Sequence, residues 1–195
     1  MQLKQMNDNI NDYIKDSEIL NYNDQNIQKK ALELTHHSEN QLETVKNVYE
    51  FVRDEVPHSL DIGGQMITFR ASDVLDKSQG LCFAKSNLLA AMLRFLGVPT
   101  GFCYQRLTHE EGYVLHGLNA VLLDGEWYRL DARGNREDVD AQFSMDTEKL
   151  AFPVSHDGEV DYPGIYSEPV ESVVKSFNGA ENVDEVMERL SEVRI

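Results

Sequence analysis

The chain has 195 residues, enough for one domain with a sizeable core, and its composition fits neither a low-complexity segment nor a disulfide scaffold. Eighteen Lys and Arg stand against 34 Asp and Glu, a net charge of −16 that argues against nucleic acid or an anionic membrane as the main partner, since both are held by clustered cations. The first residues lack an apolar leader core, no run approaches the ~20 apolar residues of a membrane helix, and two cysteines suit a reducing compartment. A cytoplasmic protein with free thiols at Cys82 and Cys103 is therefore expected.

Residues 1–23 are polar and Asn-rich, with Ile10, Tyr13, Ile14, Ile19 and Leu20 as a weak stripe, which reads as a short helix or arm. Asp24 is a capping residue for a helix through about His37, with Ile27, Ala31 and Leu34 on one face. A second helix begins near Glu39, where Leu42, Val45, Val48, Tyr49 and Val52 recur at helical spacing until Pro57 stops it. Residues 58–80 carry Gly63-Gly64 and Gln79-Gly80 and read as a loop with one helical turn around 71–75. The helix opening at Cys82 is apolar around most of its circumference, as a helix buried inside a domain is, and Gly97 and Pro99 end it.

Past Gly97 the period changes. Thr100–Leu107, Tyr113–Leu123 and Glu126–Leu130 are rich in aromatic and branched residues, and Asp124-Gly125 is a hairpin turn signal. Helices followed by an antiparallel sheet give an α+β order. After Arg133 periodicity fades; Tyr162–Tyr166 reads as a wrap over the core and a possible cleft wall, and Val183–Val193 as a closing helix. The chain divides into N-terminal helices (1–38), a core (about 40–140) and a C-terminal wrap and helix (141–195) within one domain.

Three residues carry chemistry. Cys82 lies where a loop becomes a helix, so the partial positive charge of that terminus favours its thiolate, the reactive form. If Asp124-Gly125 is a two-residue turn, Leu123 faces Glu126, and counting back along the ladder sets His116 opposite Arg133 and Asp131 opposite Leu118. His116 and Asp131 are then diagonal neighbours on one face, ~7 to 8 Å apart at the backbone, within reach of an imidazole-to-carboxylate hydrogen bond. A one-residue slip would separate them. Nucleophile, base and orienting acid together specify covalent acyl transfer, with the backbone N–H of Cys82 as one oxyanion donor. His58, in the loop leading to Cys82, is either a cleft residue or an exposed loop residue. Cys103 reads as core, and the adjacent His36 and His37 as a surface helix end. Arg129 and Arg133 are either substrate contacts or partners in ion pairs. Asp138, Asp140, Asp157, Glu159 and Asp161 read as solvated loop, and with no calcium-type loop or His/Cys cluster neither metal nor other cofactor is expected.

The blocks Val48–Val56, Ala71-Ser-Asp-Val-Leu75, Gly80-Leu-Cys82, Leu93–Thr100, the His116 strand and Trp127-Tyr-Arg-Leu-Asp131 resemble the transglutaminase-like superfamily, and more narrowly its small bacterial members. The resemblance implies a papain-like α+β fold with the nucleophile on a central helix against an antiparallel sheet. It assigns nucleophile, base and acid to Cys82, His116 and Asp131. Phe83 stands where animal transglutaminases carry a Trp after the nucleophile, and Trp127 lies in the hairpin, so the second oxyanion donor is open, with Gln79 and Gln105 as candidates. The implied substrate is a protein, a peptide or a small amide, resolved by water or an amine; a binding module that keeps the fold without turnover is the alternative.

Overall fold

The computed structural model describes residues 1–109 and 112–195. A short strand β1 (Lys4–Gln5) and a 3-10 turn (Ile10–Tyr13) precede α1 (Gln25–Thr35), α2 (Gln41–Glu55), α3 (Ala71–Lys77) and α4 (Cys82–Phe95). Then come β2 (Thr100–His109), β3 (Gly112–Leu123), β4 (Glu126–Leu130), β5 (Val160–Asp161), β6 (Gly164–Ile165), α5 (Glu171–Phe177) and α6 (Val183–Ser191). No helix among the described residues is long and apolar enough to cross a membrane.

Local chemistry explains the boundaries. The Asp24 carboxylate accepts from the N–H groups of Asn26 and Ile27 at the head of α1, and the Asn40 side chain accepts from Glu43 N–H at the head of α2. Gly97, at φ +79°, takes the left-handed conformation that ends α4. Asp124 and Gly125 both have positive φ, as a type I′ turn requires, so the hairpin register is fixed and Leu123 does face Glu126.

The main sheet has the order β4-β3-β2-β5 and is antiparallel. Helix α4 lies against β2 and β3 and is surrounded by α1, α2 and α3. The main core fills the space between them, from Val48, Tyr49 and Val52 through Leu88, Leu89 and Met92 to Phe102 and Val121. A smaller core of Tyr13, Cys103, Leu118, Ala120 and Ile165 lies beneath the N-terminal arm and β6. Parallel pairing of β1 with β6 joins the arm to the C-terminal wrap.

Arg94, fully buried in the last turn of α4, gathers these segments. Its guanidinium donates to Thr100 O (3.0 and 2.8 Å), to Lys15 O (3.0 Å) and to Ser167 O, and pairs with Glu168.

Several expectations change. The turn at 71–75 is a seven-residue helix; β5, β6 and α5 had not been expected. The acidic residues of the wrap are not simply solvated loop. Asp161 pairs with Arg129, Asp138 with Arg136, and the Glu159 carboxylate accepts from the N–H groups of Thr108, Ser155 and His156. Residues 162–166 form the wrap, with Tyr166 paired to Phe102, but the cleft wall comes from residues 152–159 instead.

Candidate active site

The loop before α4 is held rigidly. Gly80 N–H donates to Pro57 O (3.2 Å), Ser59 N–H donates to Gly80 O (3.1 Å), and the Thr68 hydroxyl donates to Gln79 O (2.7 Å). A Cβ on Gly80 would stand 2.9 Å from Ala84 Cβ and 3.1 Å from Thr68 Oγ1, so only glycine lets these strands approach so closely. Cys82 follows in the first turn of α4. The N-cap, Leu81, offers no side-chain acceptor, which leaves the first N–H groups of the helix uncapped.

Across the cleft, His116 on β3 and Asp131 just beyond β4 meet as the register predicts: His116 Nε2 lies 2.8 Å from Asp131 Oδ2. Asp131 is 1% exposed and is held further by Arg133 N–H to Oδ1 (3.1 Å) and Ala151 N–H to Oδ2 (3.0 Å). The Tyr49 hydroxyl donates to Asp131 O (3.0 Å). The Phe152 ring meets the imidazole edge-on at 5.2 Å, closing one side.

The electrostatics favour an imidazolium. Burial alone would disfavour charge on His116, but the Asp131 carboxylate and the Cys82 sulfur, both within interaction range of the ring, outweigh it and raise its pKa to about 10. Burial likewise opposes the Asp131 carboxylate, yet His116 and the two backbone N–H donors hold its pKa below the usual carboxylate value. The imidazole is thus gripped by the carboxylate on one side and lies within interaction range of the Cys82 sulfur on the other.

Lys85 stands one helical turn beyond Cys82, fully buried, and its ammonium donates to Arg53 O (3.2 Å) and Arg133 O (2.9 Å). Burial, aided by the nearby Arg133 guanidinium, pushes its pKa down to about 7. A lysine inside the most apolar helix of the chain was itself a signal that the sequence reading passed over, because Lys is almost never fully buried without a specific partner.

The remaining candidates separate clearly. His58 is buried, lines the cleft that holds Cys82 and bridges to Gly80; its Nδ1 has no partner among the described residues, and burial together with Arg133 lowers its pKa to about 3, so the ring is neutral. Gln79 lies against Gly64 rather than in the cleft lining. Gln105 pairs with His116 across the β2–β3 ladder but is buried beneath the cleft, its amide reaching Phe152 O at 3.5 Å. Arg133 forks onto Asp61 (2.5 and 2.7 Å), and Arg129 binds Glu148 and Asp161, so both are partners in ion pairs. Cys103 is core, its thiol pKa pushed up to about 12 by burial. The pair His36 and His37 is exposed at the end of α1, and the described residues contain no group of three or more His, Cys, Asp or Glu placed to hold a metal.

Cys82 and His116 open on a cleft of about 540 Å³. A depression of similar size, about 580 Å³, lies between α1 and α3; it is walled by charged residues such as Lys29, Glu33 and Asp73, with neither cysteine nor histidine in its described lining. Sequence reasoning missed Phe152 and Met187 of the Cys82 cleft's walls: Phe152 comes from a segment without periodicity, and the periodicity of α6 that includes Met187 does not say where that helix docks.

A solved structure from Cytophaga hutchinsonii, provisionally assigned as a cysteine protease, superposes with a TM-score of 0.56 at 19% identity over 66% of this chain and 43% of that one. The periplasmic domain of TgpA from Pseudomonas aeruginosa gives 0.47 at 17% identity over 62% and 45%. A structure described as a TGase gives 0.47 at 16% identity over 86% and 44%. This chain thus spans less than half the length of each of these three proteins. No match to a curated protein is significant. The family model of the transglutaminase-like superfamily matches residues 28–132, more than half of the sequence and the whole run from α1 to just past Asp131, and the chain belongs to that superfamily.

Proposed function

We propose that the protein is a thiol-dependent acyl-transfer enzyme acting on an amide or ester of a peptide, protein or small molecule. The observation that carries this reading is the buried His116, bonded to Asp131 at 2.8 Å and interacting with the sulfur of Cys82 at the uncapped start of a central helix.

The steps follow from these positions. The Cys82 thiolate attacks the carbonyl carbon, a C–S bond forms, and the carbonyl electron pair moves to oxygen, where the uncapped N–H of Cys82 donates to it. The neutral ring of His58, on the same wall, supplies the second donor. Imidazolium His116 then gives its proton to the leaving nitrogen or oxygen, the bond to the leaving group breaks, and a thioester remains. Water or an amine attacks the thioester, His116 takes its proton, and the thiolate departs. Asp131 keeps the ring oriented throughout and stabilises its charged form whenever it carries the proton, without itself being protonated.

Iodoacetamide tests the reading directly. Cys82 is expected to alkylate at least ~100-fold faster than the buried Cys103, read by peptide mapping. Cys82→Ala should abolish turnover of acyl amides while keeping the fold, and supplying a primary amine would show whether water or amine resolves the thioester. Equal alkylation of the two thiols, or turnover by Cys82→Ala, would overturn the assignment.

A further inference from the structure

The charges around the Cys82 cleft are nearly all engaged by the protein itself. Arg133 forks onto Asp61, Arg136 contacts Asp61 (3.3 Å) and Asp138 (3.0 Å), and the Glu159 carboxylate accepts three backbone N–H groups at 2.8 to 3.0 Å. What the cleft offers a substrate is therefore its uncharged lining, and apart from polar groups at its rim such as Thr108 and Ser155 that lining is aliphatic and aromatic: Leu60, Leu107, Val114, Phe152, Pro153 and Met187. Leu60, in the same cleft as Cys82, is 42% exposed. Met187 reaches the cleft from α6, held near the 58–67 loop by a hydrogen bond from the Gln65 amide to Asp184 (3.1 Å).

Resting on the acyl-transfer reading, we infer that the acyl group delivered to Cys82 is apolar and uncharged, carrying a branched aliphatic or aromatic side chain next to the scissile carbonyl. A charged side chain there would lose its hydration without gaining a free counter-charge, whereas an apolar one removes both its own surface and that of the wall from water. Phe152, Pro153 and Met187 lie outside the matched span 28–132 while Leu60, Leu107 and Val114 lie within it, so this selectivity is shared between the common core and the C-terminal segment.

Chloromethyl ketones of N-acetylated leucine, phenylalanine, aspartate and lysine test this, with iodoacetamide as the reagent that has no side chain. In each case the Cys82 thiolate forms a C–S bond and halide leaves, so intact mass and peptide mapping give the rate at one sulfur. Leucine and phenylalanine reagents are expected to react roughly tenfold or more faster than aspartate and lysine reagents, each rate divided by that of the free reagent with a small thiol. Met187→Glu and, on an exposed loop position, Leu60→Glu should each lower the leucine-to-iodoacetamide ratio at least threefold. Equal rates for all four side chains, or an undiminished leucine preference in both variants, would overturn the inference while leaving the acyl-transfer reading intact. Failure of Cys82 to react even with iodoacetamide would remove that reading and this one with it.

Discussion

Gly117 and Phe83 set the spacing between His116 and Cys82. Each directly follows one of that pair, and a Cβ placed on Gly117 would stand 2.6 Å from Phe83 Cδ1, so the ring lies flat against bare backbone. The strand of His116 and the helix of Cys82 therefore approach to a distance that any larger residue forbids. Gly117→Ala should cost about 1–3 kcal/mol of stability through overpacking. It should also slow alkylation of Cys82 by pushing the start of α4 away from the imidazole. Chemical denaturation and iodoacetamide kinetics on the same samples check both effects; an unchanged alkylation rate would show that the contact serves packing alone.

Asp131→Asn separates geometry from charge. The amide can still accept from Arg133 N–H, but without the carboxylate burial dominates the environment of His116 and its pKa falls. Turnover should drop by roughly 10³- to 10⁴-fold, as when a triad acid is neutralised in place. Alkylation of Cys82 at neutral pH should also slow, since the imidazolium beside the sulfur is lost. Iodoacetamide kinetics are the measurement, and an unchanged rate would dissociate Asp131 from the thiol.

Lys85 and His116 pull the pH dependence of folding in opposite directions. His116 is raised from 6.5 to about 10 in the folded protein, so its stabilisation is complete below pH 6.5 and is lost as pH rises to about 10. Lys85 is lowered from 10.5 to about 7, so its penalty is complete below pH 7 and is relieved as pH rises to 10.5. Between pH 7 and 10 the two contributions nearly cancel. Lys85→Met removes the rising one, and stability should then fall by on the order of 1 kcal/mol per pH unit across that window. Urea titrations at several pH values, compared with the parent protein, check the slope. The variant also leaves Arg53 O and Arg133 O without the ammonium, and Gly134, whose added Cβ would lie 3.2 Å from Lys85 Nζ, shows how tightly it is enclosed.

Much of this molecule was legible in its sequence, for identifiable reasons. The pairing of His116 with Asp131 followed from the Asp124-Gly125 turn, because a turn of known type fixes every residue pair behind it. Helices α1, α2 and α4 carried caps and periodic apolar faces and appeared within two residues of expectation at most ends. Where the signal was long-range the sequence was silent. β5 and β6 are two residues each and exist only because β2 and β1 are there to pair with them. Phe152 and Met187 have no local feature that marks a cleft wall; only the folded wrap brings them to the thiol. The ion pair of Arg133 with Asp61 spans 72 positions, so sequence could offer substrate contact or salt bridge but not choose.

Arg94 gives the fold a property that no single element possesses. One guanidinium, at the end of α4 opposite Cys82, satisfies carbonyl oxygens from the N-terminal arm, the start of the sheet and the C-terminal wrap at once. None of those segments can peel away without stranding a buried cation, so the opening of either end is thermodynamically tied to the seating of the helix that bears the nucleophile. Slow amide exchange should consequently extend as one cooperative block from Tyr13 through α4 to Ile165, with no separately melting terminus.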